Sequence, residues 1–279
     1  MSNSELSIYR ALNNVNVNAR GNHTIKGIIP HCYVGQVTAK RGVDAFNSRS
    51  GASVHYVAGI DGIGQQVDEK YRAWTTGGDK TLKTAYGTFT GRDVDFDCVT
   101  IEIACDSFAP YAITNDVYAE LVNLMADIAK RNNLGDLKWK ADKSLVGNWE
   151  AQNVLVHRWF ASKSCPGDYI YNALPEICRL ANEVNRTGVP YVAPAKVMDV
   201  AKPTLRKGNR GAQVKLLQQN LLSLGYKLPR YGADSDFGDE TRSAVIAFQK
   251  ASFPSNSNEW DGIYGPKSYQ KMSEAINRR

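Results

Sequence analysis

The sequence predicts an α/β fold followed by a small all-α three-helix module. Three observations predict it. Apolar, β-branched runs such as "HTIKGIIPHCYV" and "DCVTIEIAC" are interspersed with amphipathic stretches such as "TNDVYAELVNLMADIAKRNN" over the first two thirds of the chain. A charge-poor, proline-containing stretch, "TGVPYVAPAKVMDVAKPT", then breaks the pattern, since its prolines disfavour helix in the residues before them. Beyond it, helical spacing dominates. The divisions fall at 1–186 for a first domain, 187–204 for a linker and 205–279 for a second domain.

Taken in order, "HTIKGIIPHCYV" reads as a buried strand ending near His31, and "TAKRGVDAFNSR" as a short helix. "ASVHYVAGIDGIGQQVD" reads as two strands joined by an Asp61-Gly62 turn. "DCVTIEIAC" alternates, with Val99, Ile101 and Ile103 on one face and Thr100, Glu102 and Ala104 on the other. In the following helix Val117, Leu121, Leu124, Met125 and Ile128 form one stripe. "NVLVH" is expected as a short strand ending at His157, and "PGDYIYNALPEICRLANEV" as a helix with Pro166 in its first turn. After the linker, "GAQVKLLQQNLLSLGY", "DETRSAVIAFQKAS" and "PKSYQKMSEAIN" read as helices. The last two are introduced by the similar phrases "SDFGDET" and "DGIYGPKS", a faint internal repeat.

At 279 residues, with 43% hydrophobic and 22% charged residues, the chain can bury an ordinary core. No apolar run is long enough to span a bilayer, so no membrane partner is expected. The N-terminal stretch has no basic start followed by an apolar segment, and five cysteines without framework spacing argue against a disulfide scaffold. Residence in a reducing cytoplasm is the expectation. Residues 201–279 hold 13 Lys and Arg against 7 Asp and Glu, so the whole net charge of +6 lies there. Such a tail fits a polyanion, either nucleic acid or an anionic wall polymer, or else is a solvated face without a partner.

"VLVHRWFASKSCPGDY" carries the chemistry. Cys165 lies where a helix dipole would stabilise a thiolate, and Lys163 would lower its pKa further. A thiolate serves equally as nucleophile or metal ligand, and an inert thiol is the third alternative. His31 and His157 end expected strands, and with Cys165 they would make a three-ligand zinc site with a fourth position open. Satisfied structural histidines remain the alternative at this point. "TTGGDKT" lacks the glycine that a phosphate loop needs directly before its lysine, and "GIDGIG" reads as a hairpin turn. Cys98, Cys105 and Cys178 fall on apolar elements and are expected in the core.

"IIPHCYV" and "VLVHRWFASKSCPGDY" resemble the two zinc-ligand motifs of the type 2 N-acetylmuramoyl-L-alanine amidases, relatives of the peptidoglycan-recognition proteins. "SVHYVAGIDG" resembles that family's hairpin and "RAW", Arg72 to Trp74, its groove-lining stretch. The likeness covers roughly residues 23–185. From 204 onward, "LRKGNRGAQVKLLQQNLLSLGY" through "DGIYGPKS" resembles a three-helix peptidoglycan-binding domain. The resemblance implies a central mixed β-sheet flanked by helices, with Zn2+ held by His31, His157 and Cys165. It implies hydrolysis of the lactyl–L-alanine amide of bacterial peptidoglycan, as in phage or prophage endolysins released at lysis. It also implies Glu102 as general base and Lys163 as oxyanion donor. His55 reads as structural or substrate-facing, with the structural role favoured, and Trp74 as a substrate contact or a core tryptophan. A tyrosine that some relatives place before the hairpin histidine is Val54 here, which favours the glutamate variant. The competing expectations are a Cys–His peptidase using Cys165 and His157, a peptidoglycan-recognition protein without turnover, and a nucleic-acid binder. Nucleic acid is the weakest, because the tail's aromatic motifs already resemble a wall-binding module.

Overall fold

The computed structural model describes residues 3–13, 15–193 and 200–277. The chain divides into two compact units, Met1–Pro194 and Ala195–Arg279. Residues 194–199 of the expected linker lie outside the described residues.

In chain order the first unit contains β1 (Ser7–Arg10), β2 (Val17–Ala19), β3 (Gly27–Cys32), α1 (Ala39–Asn47), β4 (Tyr56–Gly59), β5 (Gly62–Gln65), β6 (Tyr71–Ala73), β7 (Leu82–Thr84), β8 (Gly87–Phe89), α2 (Gly91–Asp97), β9 (Cys98–Ile103), α3 (Asn115–Arg131) and α4 (Asp168–Thr187). Five strands form one sheet in the order β1-β5-β4-β9-β3. The β4–β5 hairpin is antiparallel, while β1–β5, β4–β9 and β3–β9 are parallel, so the sheet is mixed. The fold is therefore α/β with a central mixed sheet flanked by helices.

Because successive strand residues face opposite sides, the register sorts the sheet into a core face and a site face. Ile28, Tyr56, Ala58, Ile63, Val99, Ile101 and Ile103 join Leu121, Leu124 and Ile128 of α3 and Leu174 and Ile177 of α4 in the main core. The alternate residues Val57, Gly59 and Gly64 meet α1. A Cβ on Gly59 would lie 2.3 Å from the Ala39 nitrogen, one on Gly64 2.7 Å from the Ala39 oxygen, and one on Gly42 2.6 Å from Val57. Glycine at these positions lets α1 rest directly on the strands. Glu102 pairs with Val57 on one side and with His31 on the other, so His31 and Glu102 share the α1 face.

Helix entries follow their sequence signals. Thr38, Thr90 and Thr114 each accept a backbone N–H in the first turn of α1, α2 and α3. The α4 helix begins later than expected, at Asp168, with Gly167 as N-cap at φ 85°, and ends at Gly188 in the left-handed region. The expected strand "NVLVH" is corrected. It forms only the isolated bridge Ile28↔Val154, and His157 opens a 3-10 turn, His157–Trp159.

The second unit holds α5 (Ala212–Ser223), α6 (Asp239–Ser252) and α7 (Pro266–Asn277). Its own core includes Val214, Leu217, Leu221, Phe237, Val245, Phe248, Tyr264 and Met272. The repeated phrases have a shared construction. Phe237 and Tyr264, their aromatic residues, are both fully buried. Buried Gln218 on α5 donates to Asp234, the Asp236 carbonyl and Thr241, and accepts from the Ser235 N–H. Buried Gln249 on α6 donates to Asp261, the Ile263 carbonyl and Ser268, and accepts from the Gly262 N–H. Each glutamine thus ties its helix to the turn that starts the next one.

Candidate metal centre and catalytic cleft

His31 sits one residue before the end of β3, His157 on the 3-10 turn, and Cys165 on the loop entering α4. One donor atom from each lies within 4.8 Å of the other two, and all three residues are buried. Among the described residues this is the group of His, Cys, Asp or Glu with that compactness. The Cys165 Sγ is 3.4 Å from His31 Nδ1. The His31 and His157 rings meet edge to face, with centroids 4.9 Å apart.

Hydrogen bonds fix which nitrogens are free. His157 Nε2 is 2.9 Å from the Gly77 carbonyl, which can only accept, so Nε2 carries the proton and Nδ1 keeps its lone pair. His31 Nε2 is 3.3 Å from Thr76 Oγ1, leaving Nδ1 toward Cys165. Burial lowers both imidazole pKa values, and the neighbouring His157 and Lys163 lower that of His31 further, a direction that favours the neutral form of each ring. Neutral imidazoles oriented by second hydrogen bonds, beside a thiol, are the donor set that zinc takes. The residues present fit that ion.

Thr76 and Gly77 are themselves held. Asp95 accepts from the Thr75 and Thr76 N–H groups and lies 3.9 Å from Arg72. Gly91 and Gly78 permit the packing, since a Cβ on either would fall within 2.1 Å of the Thr76 or Phe160 carbonyl oxygen. The stretch "TTGGD", which the sequence excludes as a phosphate loop, therefore orients both histidines. Thr76, Gly77 and Asp95 escaped sequence reasoning. Apart from the paired glycines in a polar loop, no pattern marks them, because they act through backbone carbonyls and buried contacts.

The cleft over this group has a volume of about 710 Å³ and is lined by Glu102, Lys163, Arg49, Tyr33, Thr75 and Ser162 among others. Burial pushes the Glu102 carboxyl up to about 8, and the neighbouring Cys32 adds to that, while Arg49 and Lys163 oppose it. Cys165 precedes the helix cap, and the Cys32 thiol and burial raise its pKa, the opposite direction from that expected of a helix dipole.

His55 takes the structural of its two expected roles and not the substrate-facing one. It is fully buried; Nδ1 accepts from the Thr100 N–H at 3.0 Å and Nε2 faces the Tyr71 carbonyl at 3.0 Å. Burial and the adjacent Arg20 lower its pKa to about 3. Trp74 is 36% exposed, with its indole N–H donating to Asn18. It is absent from the residues lining the cleft.

A family model described as N-acetylmuramoyl-L-alanine amidase matches residues 21–168, and one described as a putative peptidoglycan binding domain matches residues 210–272. A probable N-acetylmuramoyl-L-alanine amidase of Bacillus licheniformis is 31% identical over 140 residues, 48% of this chain and 38% of that protein. The N-acetylmuramoyl-L-alanine amidase CwlL of the same organism is 25% identical over 267 residues, 89% of this chain and 66% of that protein. The chain thus spans less than two thirds of the length of either relative. The crystal structure of the Staphylococcus aureus hydrolase AmiA in complex with its ligand aligns with a TM-score of 0.48 at 16% identity, covering 68% of this chain and 90% of that one. The first of these matches spans more than half of the sequence and contains His31, His157 and Cys165: the chain belongs to the N-acetylmuramoyl-L-alanine amidase family.

Proposed function

We propose that the chain is a zinc-dependent amidase that hydrolyses the lactyl–L-alanine amide of peptidoglycan. Residues 1–186 would carry the reaction, 187–204 the linker, and 205–279 the attachment to the wall. The observation that carries this reading is the buried N, N, S donor group beside a cleft that is also lined by the Glu102 carboxyl and the Lys163 side chain.

His31 Nδ1, His157 Nδ1 and the Cys165 sulfur would hold the ion. Bound zinc supplies Lewis acidity at the amide carbonyl and at the attacking water. Glu102, on the same sheet face as His31, would take the water's proton once the bound cation offsets the burial that raises its pKa, and would return it to the departing alanine nitrogen. Lys163 donates to the oxyanion that develops as the carbonyl becomes tetrahedral, an interaction of a type that contributes about 2.7–4 kcal/mol. The Gly77 carbonyl and Thr76 hydroxyl keep the histidines in orientation. A Cys–His nucleophile pair would account for one imidazole only, whereas two imidazoles and the sulfur lie within 4.8 Å of one another, which favours the ligand reading.

Purified peptidoglycan incubated with the protein should gain new N-terminal L-alanine without new reducing sugar. Chelation should stop the release and added zinc restore it. Release of reducing ends, or turnover indifferent to chelators and blocked by iodoacetamide, would replace this function with a glycosidase or a Cys–His peptidase.

A further inference from the structure

His31 is held in a strand of the central sheet, but His157 and Cys165 stand on irregular backbone. The loop that joins them is open to solvent, with Ser162, Lys163 and Ser164 all exposed. Arg158, the residue after His157, bridges this loop. Its backbone N–H donates to the Cys165 carbonyl at 3.1 Å. Its guanidinium donates to the Ser164 carbonyl at 2.5 Å and to the Asp168 carboxylate at 3.1 Å. The same group lies 4.6 Å from the centroid of the Tyr171 ring, on the first turn of α4. Only 23% of the Arg158 side chain is exposed, and Arg158 is absent from the residues lining the cleft. Main chain and side chain of the residue beside one donor are thus committed to residues on both sides of another. The Ser164 carbonyl also accepts from the Gly167 N–H at 2.8 Å, and the Ser162 N–H donates to Asp79 at 3.0 Å. Lys163 therefore sits between two anchored neighbours.

We propose that Arg158 is a positioning residue for the metal centre, fastening the Cys165 loop to the His157 turn so that the sulfur donor is in place before an ion binds. A donor on an unfastened loop must give up conformational freedom when it binds, and that cost weakens affinity; a donor already in place avoids it. Arginine suits the task because its planar fork bonds two acceptors at once, which the single ammonium of lysine does less well. The Ser164 carbonyl is the more effective of the two partners. The Asp168 side chain is 72% exposed, and an ion pair so open to water contributes little. The effect on affinity rests on the zinc site proposed above; the fastening does not.

The test uses the full chain as wild type, Arg158→Ala, Arg158→Lys and Asp168→Asn. Zinc affinity is measured by competition with a chromogenic chelator, and the thermal midpoint and amide hydrogen exchange are measured on the metal-free proteins. Arg158→Ala should bind zinc about 10–100-fold more weakly, the range typical of groups that orient metal ligands. Arg158→Lys should recover part of that loss, and Asp168→Asn should stay near the wild type. With Co2+ in place of zinc, the sulfur-to-metal charge-transfer band of Arg158→Ala should be weaker at equal metal. Metal-free Arg158→Ala should exchange faster within residues 158–168 while its thermal midpoint changes little. Wild-type zinc affinity in Arg158→Ala would overturn the proposal. So would a loss of affinity fully matched by a fall in the metal-free midpoint, or a lysine variant no better than alanine. If the wild type takes up no zinc but exchange in residues 158–168 still quickens in Arg158→Ala, the zinc site fails and the fastening stands. If the wild type binds zinc and Arg158→Ala changes neither affinity nor exchange, the fastening fails and the zinc site stands.

Discussion

At the scale of single residues, the proposed metal and catalytic roles separate by measurement. His31→Ala removes a proposed ligand and should lose both zinc and amidase activity. Glu102→Gln keeps the donor group and should retain zinc while kcat falls at least 100-fold, within the range typical of general acid–base groups. Lys163→Ala should lower kcat by about 10²–10³ with zinc unchanged. A Glu102→Gln protein that has lost its metal would show that the carboxylate acts on the site's structure. His55 gives a prediction of a different kind. Its pKa is about 3 in the fold against an ordinary 6.5. Between those limits the unfolded chain binds a proton that the folded chain does not. The stability from neutral His55 is therefore whole above pH 6.5 and lost as pH falls toward 3, at up to about 1.4 kcal/mol per pH unit. Urea denaturation at pH 7.5 and 5.0 should show the wild type losing about 1–2 kcal/mol more than His55→Gln. Equal losses would remove His55 from the acid sensitivity. The grouping of His31, His157 and Cys165 was legible in the sequence because their order and their spacing from Cys-Pro resemble a family motif. The burial of His55 was not, since a histidine in a hairpin reads the same whether it faces the core or the cleft.

At the scale of elements, the close approach of α1 to the hairpin sets the width of the site face. Gly59→Ala would place a methyl 2.3 Å from the Ala39 nitrogen, against backbone that cannot rotate away. Overpacking of this kind costs about 1–3 kcal/mol, so the midpoint of thermal unfolding should fall with little change in zinc stoichiometry. In the second unit, Gln249→Leu removes the amide's contacts to Asp261, the Ile263 carbonyl and Ser268 and leaves the Gly262 N–H without its acceptor. Unsatisfied buried groups cost about 1–3 kcal/mol each, and wall binding should weaken as the α6–α7 turn loosens. Long elements were readable because periodicity needs length. The helical stripe at Val117–Ile128 and the alternation at Val99–Ile103 both stand in the structure as expected. β1, β2, β6, β7 and β8 are three or four residues each and left no such signal. "NVLVH" failed in the opposite direction. It has strand composition, but the Asn153 and Val154 N–H groups are taken by the Lys138 carbonyl, and only one bridge to β3 forms.

At the scale of the whole molecule, the class was legible in the sequence and the mixed sheet in the resemblance, but the order of the strands was not. Parallel pairing of β1 with β5 joins residues more than fifty positions apart and depends on a global arrangement that local pattern does not record. The charge asymmetry is legible at this scale, and it carries a testable consequence. The excess of +6 lies wholly within residues 201–279, in the unit that matches a peptidoglycan binding domain. If attachment uses the peptidoglycan alone, salt should affect it little. If anionic wall polymers contribute, attachment should weaken as the screening length shrinks from about 10 Å at 0.1 M salt to about 3 Å at 1 M. Full-length Glu102→Gln, which should bind without degrading its target, allows the two to be separated. Its retention on whole walls should fall several-fold between those salt concentrations. On walls stripped of anionic polymers, retention should be lower and nearly independent of salt. Equal retention on both preparations at every salt concentration would assign the positive charge to solvation of the second unit, and attachment to its contacts with peptidoglycan alone.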